Sequence, residues 1–171
     1  MIRLDGRARR LGDNINTDYI IASTRKRDTI DERVLRQWLL ETVDPAFAAS
    51  VREGDMIVAG HNFGCGSAME IAVTVILAAG IRAVLAQSYS RTFYRNAINN
   101  GLIAVQCDTT AMREGDALTV TLDGGALAVA DRTRDISLAG RPMSGIMLDI
   151  LEHGGLVPFM RTHHTLTPGN P

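Results

Sequence analysis

An α/β fold, with a mostly parallel core followed by a C-terminal hairpin, is predicted from three features of the sequence. Short apolar runs alternate with helix-patterned segments between residues 56 and 107, and glycines close the helical segments. A glycine-rich loop, Gly60-His-Asn-Phe-Gly-Cys-Gly-Ser67, joins the first such run to the first such helix. Two apolar runs flank Asp123-Gly124-Gly125, a hairpin signal.

The elements follow in order. Residues 15–23 start after the turn-forming Gly12-Asp13-Asn14 and read as a loop beside a short strand around Ile20 and Ile21. Ile30, Val34, Leu35, Trp38 and Leu39 have helical spacing, which predicts a helix over 30–40 with one buried face. Asp44-Pro45 opens another short helix, with Asp as cap and Pro at the first helical position. Glu53-Gly54-Asp55 is a turn, and Met56–Ala59 is a strand. Residues 68–79 form a helix that is apolar nearly all round, stopped by Gly80. Residues 83–86 are a strand, 91–100 a helix closed by Gly101, and 103–107 a third strand. This βαβαβ order implies parallel strands with right-handed crossovers. Residues 117–122 and 126–130 make the hairpin, and 144–153 a last helix ended by Gly154. Residues 1–162 are expected to form one domain, and 163–171 a loosely ordered tail.

The composition excludes several classes. Of 171 residues, 46% are hydrophobic and 22% charged, so the chain can build a core and is not disordered. Its net charge of −1 offers no general hold on nucleic acid or on an anionic membrane. Two cysteines, Cys65 and Cys107, form no Cys-x-x-Cys pair and are too few for a cluster or a four-cysteine zinc site. No metal site is expected in this chain. With no signal-like or membrane-spanning apolar run, the expectation is a cytoplasmic protein.

The loop ending at Ser67 is the chief candidate for chemistry. A helix start presents unpaired N–H groups and the positive end of the dipole, so it can hold an anion. Glycines let a ligand approach the backbone closely. Ser67 is either the cap of the following helix or a group facing the bound anion. The loop lacks the Lys-Ser/Thr of a Walker A and does not spell G-x-G-x-x-G. Asp18 is a second candidate, with an Asx turn as its plain structural role. Arg25, Lys26 and Arg27 form a basic run that is either solvated surface or an attractor for a carboxylate.

Three segments together carry a resemblance. They are Gly12-Asp-Asn-Ile-Asn-Thr-Asp18, Gly60-His-Asn-Phe-Gly-Cys-Gly-Ser67 and Ser88-Tyr-Ser-Arg-Thr-Phe-Tyr-Arg-Asn-Ala-Ile-Asn-Asn-Gly-Leu102. Over about residues 3–158 the chain resembles the 3-isopropylmalate dehydratase small-subunit family, the swivelling domain of the aconitase superfamily. The resemblance implies a swivelling β/β/α domain that works with a large subunit. That partner would carry a [4Fe–4S] cluster, acting as Lewis acid on a small hydroxy-acid substrate, while this chain holds no cofactor. It also implies that Ser67 is the catalytic base, and that backbone groups around Gly66 and Ala68 hold the serine alkoxide or the substrate anion. Asp18 would orient the catalytic groups, Thr24 and Arg25 would meet the variable end of the substrate, and Glu70 would anchor the loop.

The chain departs from the family pattern G-S-S-R-E. It reads Gly66-Ser67-Ala68-Met69-Glu70, so the second serine is Ala68, and Met69 stands where the family has an arginine for a substrate carboxylate. After Asn16-Thr17-Asp18 the proline of the family loop is absent, and Thr24 replaces its basic residue. Two further readings follow: a related hydro-lyase subunit for a different hydroxy acid, and a non-catalytic carboxylate-binding module.

Overall fold

The computed structural model describes residues 1–27, 29–143 and 145–163. Strand β1 (Ile2–Arg10) alternates Ile2, Leu4, Gly6 and Ala8 with charged residues. Strands β2 (Met56–Ala59), β3 (Ala83–Ala86) and β4 (Ile103–Gln106) are short apolar runs, buried along almost their whole length. Strands β5 (Ala117–Asp123) and β6 (Ala126–Asp131) form the hairpin, and β7 (Ile136–Ala139) adds an edge.

All seven form one sheet in the order β4-β3-β2-β1-β5-β6-β7. The β1–β2, β2–β3 and β3–β4 pairs are parallel. The β1–β5, β5–β6 and β6–β7 pairs are antiparallel. The α/β architecture and the hairpin agree with the sequence reading. Beyond it, β1 and β7 extend the sheet.

The described residues also hold seven α-helices, besides two short 3₁₀ turns: α1 (Thr17–Ile20), α2 (Glu32–Leu35), α3 (Phe47–Ser50), α4 (Ile71–Ala78), α5 (Arg91–Asn99), α6 (Ile146–Glu152) and α7 (Leu156–Thr162). Alternation along the parallel strands divides the core between the two faces of the sheet. Ile57, Ala59, Val84, Ala86 and Ala104 pack with Leu35, Leu39 and the α4 residues Ala72, Val73 and Ile76. Met56, Val58, Leu85, Ile103 and Val105 pack with Leu118, Val120 and Val129, and with Ile150 and Phe159 of α6 and α7.

Four local expectations are corrected. The strand expected around Ile20 and Ile21 is the single helical turn α1, because the Asn16 side chain caps it by accepting from the Asp18 N–H at 2.8 Å. The helix expected over 30–40 shrinks to α2 and a 3₁₀ turn, Arg36–Trp38. Leu35, Leu39 and Leu40 carry its burial, whereas Ile30 and Val34 are exposed. The helix expected from Ala68 starts at Ile71, with Glu70 as its cap residue, so Ser67 is not a helix cap. His163, placed in the expected tail, lies at the end of α7 and stacks on Phe159 at 4.5 Å between ring centroids. The rest of that tail, 164–171, lies outside the described residues.

A charged cluster ties β1 to the turn before β2. Asp55 is 3% exposed and Arg9 5%. Arg7 Nη2 donates to Asp55 Oδ2 at 2.7 Å, Arg9 Nη1 lies 3.5 Å from the same oxygen, and Arg9 Nε donates to Glu114 at 2.9 Å. Burial alone would raise the Asp55 carboxyl. The Arg7 hydrogen bond, the Arg52 N–H and the charges of Arg7 and Arg9 hold it below the usual carboxylate range instead.

Candidate active site

The site grows out of the parallel register of β1 and β2. That pairing continues past both strands, as the Gly60 N–H donates to Gly12 O at 3.1 Å and Asn14 N–H to His61 O at 2.8 Å. Further on, Gly64 N–H donates to Ile15 O and Thr17 N–H to Cys65 O, each at 2.8 Å. The glycine loop and the 12–17 segment thus run side by side out of the carboxyl edge of the sheet. On its other flank the loop meets the exit of β3, where Phe63 N–H donates to Ser88 O and Ser90 N–H to Phe63 O, each at 3.0 Å.

Two glycines in the loop have steric reasons. Gly64 adopts φ +75°, and a Cβ there would lie 2.1 Å from the Phe93 ring. That ring stands edge-on to Phe63 at 5.1 Å. Gly66 adopts φ +96°, and a Cβ there would meet the Asn16 side chain at 2.5 Å. The aromatic packing fixes the loop from below, and Asn16 fixes the residue before Ser67.

Ser67 emerges exposed at the top of this framework. Its carbonyl accepts from Thr17 Oγ1 at 3.0 Å, so the backbone is clamped while the side chain stays available. Among the described residues, the Ser67 hydroxyl makes no hydrogen bond, and the amides of Gly66, Ser67, Ala68, Met69 and Glu70 find no protein acceptor. Five successive free donors just before α4 are available to an anion or a developing negative charge.

The other predicted residues divide. Asp18, half-buried on α1, accepts a hydrogen bond from the Ser23 hydroxyl and sits one residue from the Thr17–Ser67 clamp. Thr24 is exposed on a 3₁₀ turn, Ser23–Lys26. Arg25 is engaged within the chain. Its Nε and Nη2 each donate to Glu41 at 2.8 Å, and its guanidinium lies over Trp38 at 4.8 Å. The Arg25 hydrogen bond also lowers the Glu41 carboxyl, as a full ion pair requires. Glu70 is exposed, and among the described residues its carboxylate has no partner. Its carbonyl does the anchoring, accepting from Val73 N–H at 2.8 Å.

Lys26, the middle residue of the basic run Arg25-Lys26-Arg27, is the residue the fold brings to the candidate site. Its Nζ lies against Met69 Sδ, two positions from Ser67. A thioether neutralises no charge, so the ammonium keeps its full capacity for an anion. The available signal was the lysine itself, the one exception in an otherwise all-arginine set.

Among the described residues, no group of three or more His, Cys, Asp or Glu side chains is placed to hold a metal. Cys65 is half-buried and Cys107 is buried elsewhere. These donors do not fit a [4Fe–4S] cluster. No helix among the described residues is long and apolar enough to cross a membrane.

A family model described as the aconitase C-terminal domain matches residues 8–110. The chain is 41% identical over 162 residues to a protein named 3-isopropylmalate dehydratase small subunit 2 of Archaeoglobus fulgidus, covering 95% of this chain and 97% of that one. It is 40% identical over 158 residues to the methanogen homoaconitase small subunit of Methanocaldococcus jannaschii, covering 92% and 91%. A crystal structure titled 3-isopropylmalate dehydratase, from Methanocaldococcus jannaschii, superposes with a TM-score of 0.90 at 38% identity, covering 95% of this chain and 96% of the other.

Proposed function

The chain belongs to the aconitase C-terminal domain family, among the small subunits of the 3-isopropylmalate dehydratase type, and from that premise we propose that it completes the active site of a two-subunit hydro-lyase. The substrate class is a 2-hydroxy carboxylic acid. One observation supports the catalytic reading above all: an exposed, unpartnered Ser67 hydroxyl stands beside five free backbone amides. Chains with names for different substrates align over nearly all of this one, including a Methanocaldococcus jannaschii protein named isopropylmalate/citramalate isomerase small subunit at 39% identity. The scaffold therefore tolerates several hydroxy acids.

In this reading Ser67 Oγ takes the proton from the carbon beside a substrate carboxylate. The hydroxyl leaves from the neighbouring carbon as hydroxide, which is converted to water by the proton that the Ser67 alkoxide has taken up, so that the alkene forms and the alkoxide is restored. The amides of residues 66–70 offset the negative charge that builds beside the serine. Asp18, held by Ser23, orients the groups around the α1 turn. Lys26 receives a substrate carboxylate, and Met69 and Ala68 present apolar surface next to it. Thr24 borders the same turn, while Arg25 braces it through Glu41 rather than touching substrate. The large subunit supplies the [4Fe–4S] cluster, for which this chain has no fitting ligands. The cytoplasm is the matching compartment, in keeping with two free thiols.

The test is reconstitution with the cluster-bearing large subunit and kcat/KM over a panel of hydroxy acids, for wild type and Lys26→Met. The expected result is turnover of at least one acid, with KM raised about tenfold or more in the variant through loss of a charge-assisted contact. No turnover of any hydroxy acid would leave the carboxylate-binding module as the better reading. Unchanged KM in Lys26→Met would remove Lys26 from the site.

A further inference from the structure

A cleft opens on the same edge of the sheet. A cleft of about 530 Å³ is lined by Arg91, Arg95, Arg141, Tyr94 and Met147, with Ser88 and Gln106 at its inner end. Arg91 and Arg95 are one turn apart on α5, a spacing that sets like charges on one face and weakens an isolated helix. Arg141 joins them from across the cleft, its N–H donating to Gln106 O at 2.8 Å. Among the described residues, none of the three guanidinium groups is ion-paired. The cleft of similar size near α4 differs, because Arg36 and Arg82 there share it with Glu53. Three cations lining one cleft that has, among the described residues, no acidic residue in its wall call for an anionic occupant.

Position in the fold selects the occupant. Ser88 follows β3, Gln106 ends β4 and Arg91 begins α5, so the cleft lies at the carboxyl edge beside the Ser67 loop. Ser88 belongs to both features, since its Oγ accepts from Asn62 N–H at 2.8 Å and its carbonyl from Phe63 N–H at 3.0 Å. Any subunit that covers Ser67 approaches this edge. We infer that the Arg91–Arg95–Arg141 cleft is a docking site for carboxylate side chains of the large subunit, on a surface continuous with the Ser67 site. This inference rests on the two-subunit reading above.

The experiment is calorimetric titration of the intact chain with the large subunit, at low and at high salt. The combined variant Arg91→Gln, Arg95→Gln, Arg141→Gln is expected to raise Kd about tenfold or more at low salt. The difference should shrink at high salt, where exposed pairs are screened. The three Arg→Lys replacements should retain most of the affinity. At saturating large subunit, kcat of the Gln variant should match wild type, and its thermal midpoint should show that it folds. If the Gln variant binds as tightly as wild type, the docking site is overturned. It is also overturned if the Gln changes abolish binding of tricarballylate by the isolated chain while leaving subunit association intact. A complex that needs these arginines but turns over no hydroxy acid would sink the hydro-lyase reading and leave the docking site standing. An active complex indifferent to them would do the reverse, and absence of any association would sink both.

Discussion

Replacement of Ser67 by alanine separates a chemical role from a structural one. The hydroxyl is exposed and makes no hydrogen bond among the described residues, and the clamp from Thr17 uses the Ser67 carbonyl, which alanine retains. The stability change should therefore stay within about 0.5 kcal/mol, as for other surface substitutions. In a chain of this size that is a shift of about 1–2 °C in Tm. Had Ser67 capped a helix, the loss would be about 1 kcal/mol, or about 2–4 °C. Turnover should behave quite differently, with kcat falling about 10²–10⁴-fold on loss of the general base. KM should change little, because the proton transfer is made in the transition state. Calorimetry of the chain and steady-state kinetics of the reconstituted complex measure both. A drop in Tm of capping size, or an undiminished kcat, would refute the assignment.

Two further outcomes follow from buried groups. Asp55→Asn should cost about 1.5–3 kcal/mol in chemical denaturation, since it removes the buried carboxylate that accepts from Arg7 and leaves Arg9 with Glu114 as its one remaining ion pair among the described residues. Because the Asp55 carboxyl titrates lower when folded, its contribution is complete above about pH 4 and drains away as pH falls through the folded value. The variant's stability should accordingly be flatter than wild type in that acid range, and equal slopes would argue against the pairing. Burial pushes the Cys107 thiol up to about 11, whereas Cys65 is half-exposed on the glycine-rich loop. A thiol reagent at neutral pH should modify one cysteine in the native chain and both in denaturant, and rapid modification of Cys107 would contradict its burial.

The apolar βαβαβ run and the hairpin were legible because their residue patterns are set locally. β2 and β3 begin and end where the apolar runs do. β1 escaped because Arg3, Asp5, Arg7, Arg9 and Arg10 mask its alternation, and the partners that neutralise Arg7 and Arg9 lie far along the chain, at Asp55 and Glu114. In α7 the Pro158 signal argues against a helix. At the third helical position, however, its missing N–H has no intrahelical acceptor to lose. The site showed the same division. The loop that presents Ser67 and the turn that holds Asp18 were readable from their motifs. That Glu41 and Trp38 hold Arg25 while Lys26 meets Met69 is tertiary information, which the motif does not carry.

The place of β1 at the centre of the sheet has a kinetic corollary. Its outer flank cannot close until Ile2 finds Leu122, so the first strand to be synthesised waits for one made late. Such non-local pairing slows folding relative to chains built mainly from local contacts. During that interval β1 is an open template to which other chains can add. The charged residues that disguise it in the sequence are also what keeps that open edge soluble: five of its nine positions carry charge, and an edge so decorated repels a second copy of itself.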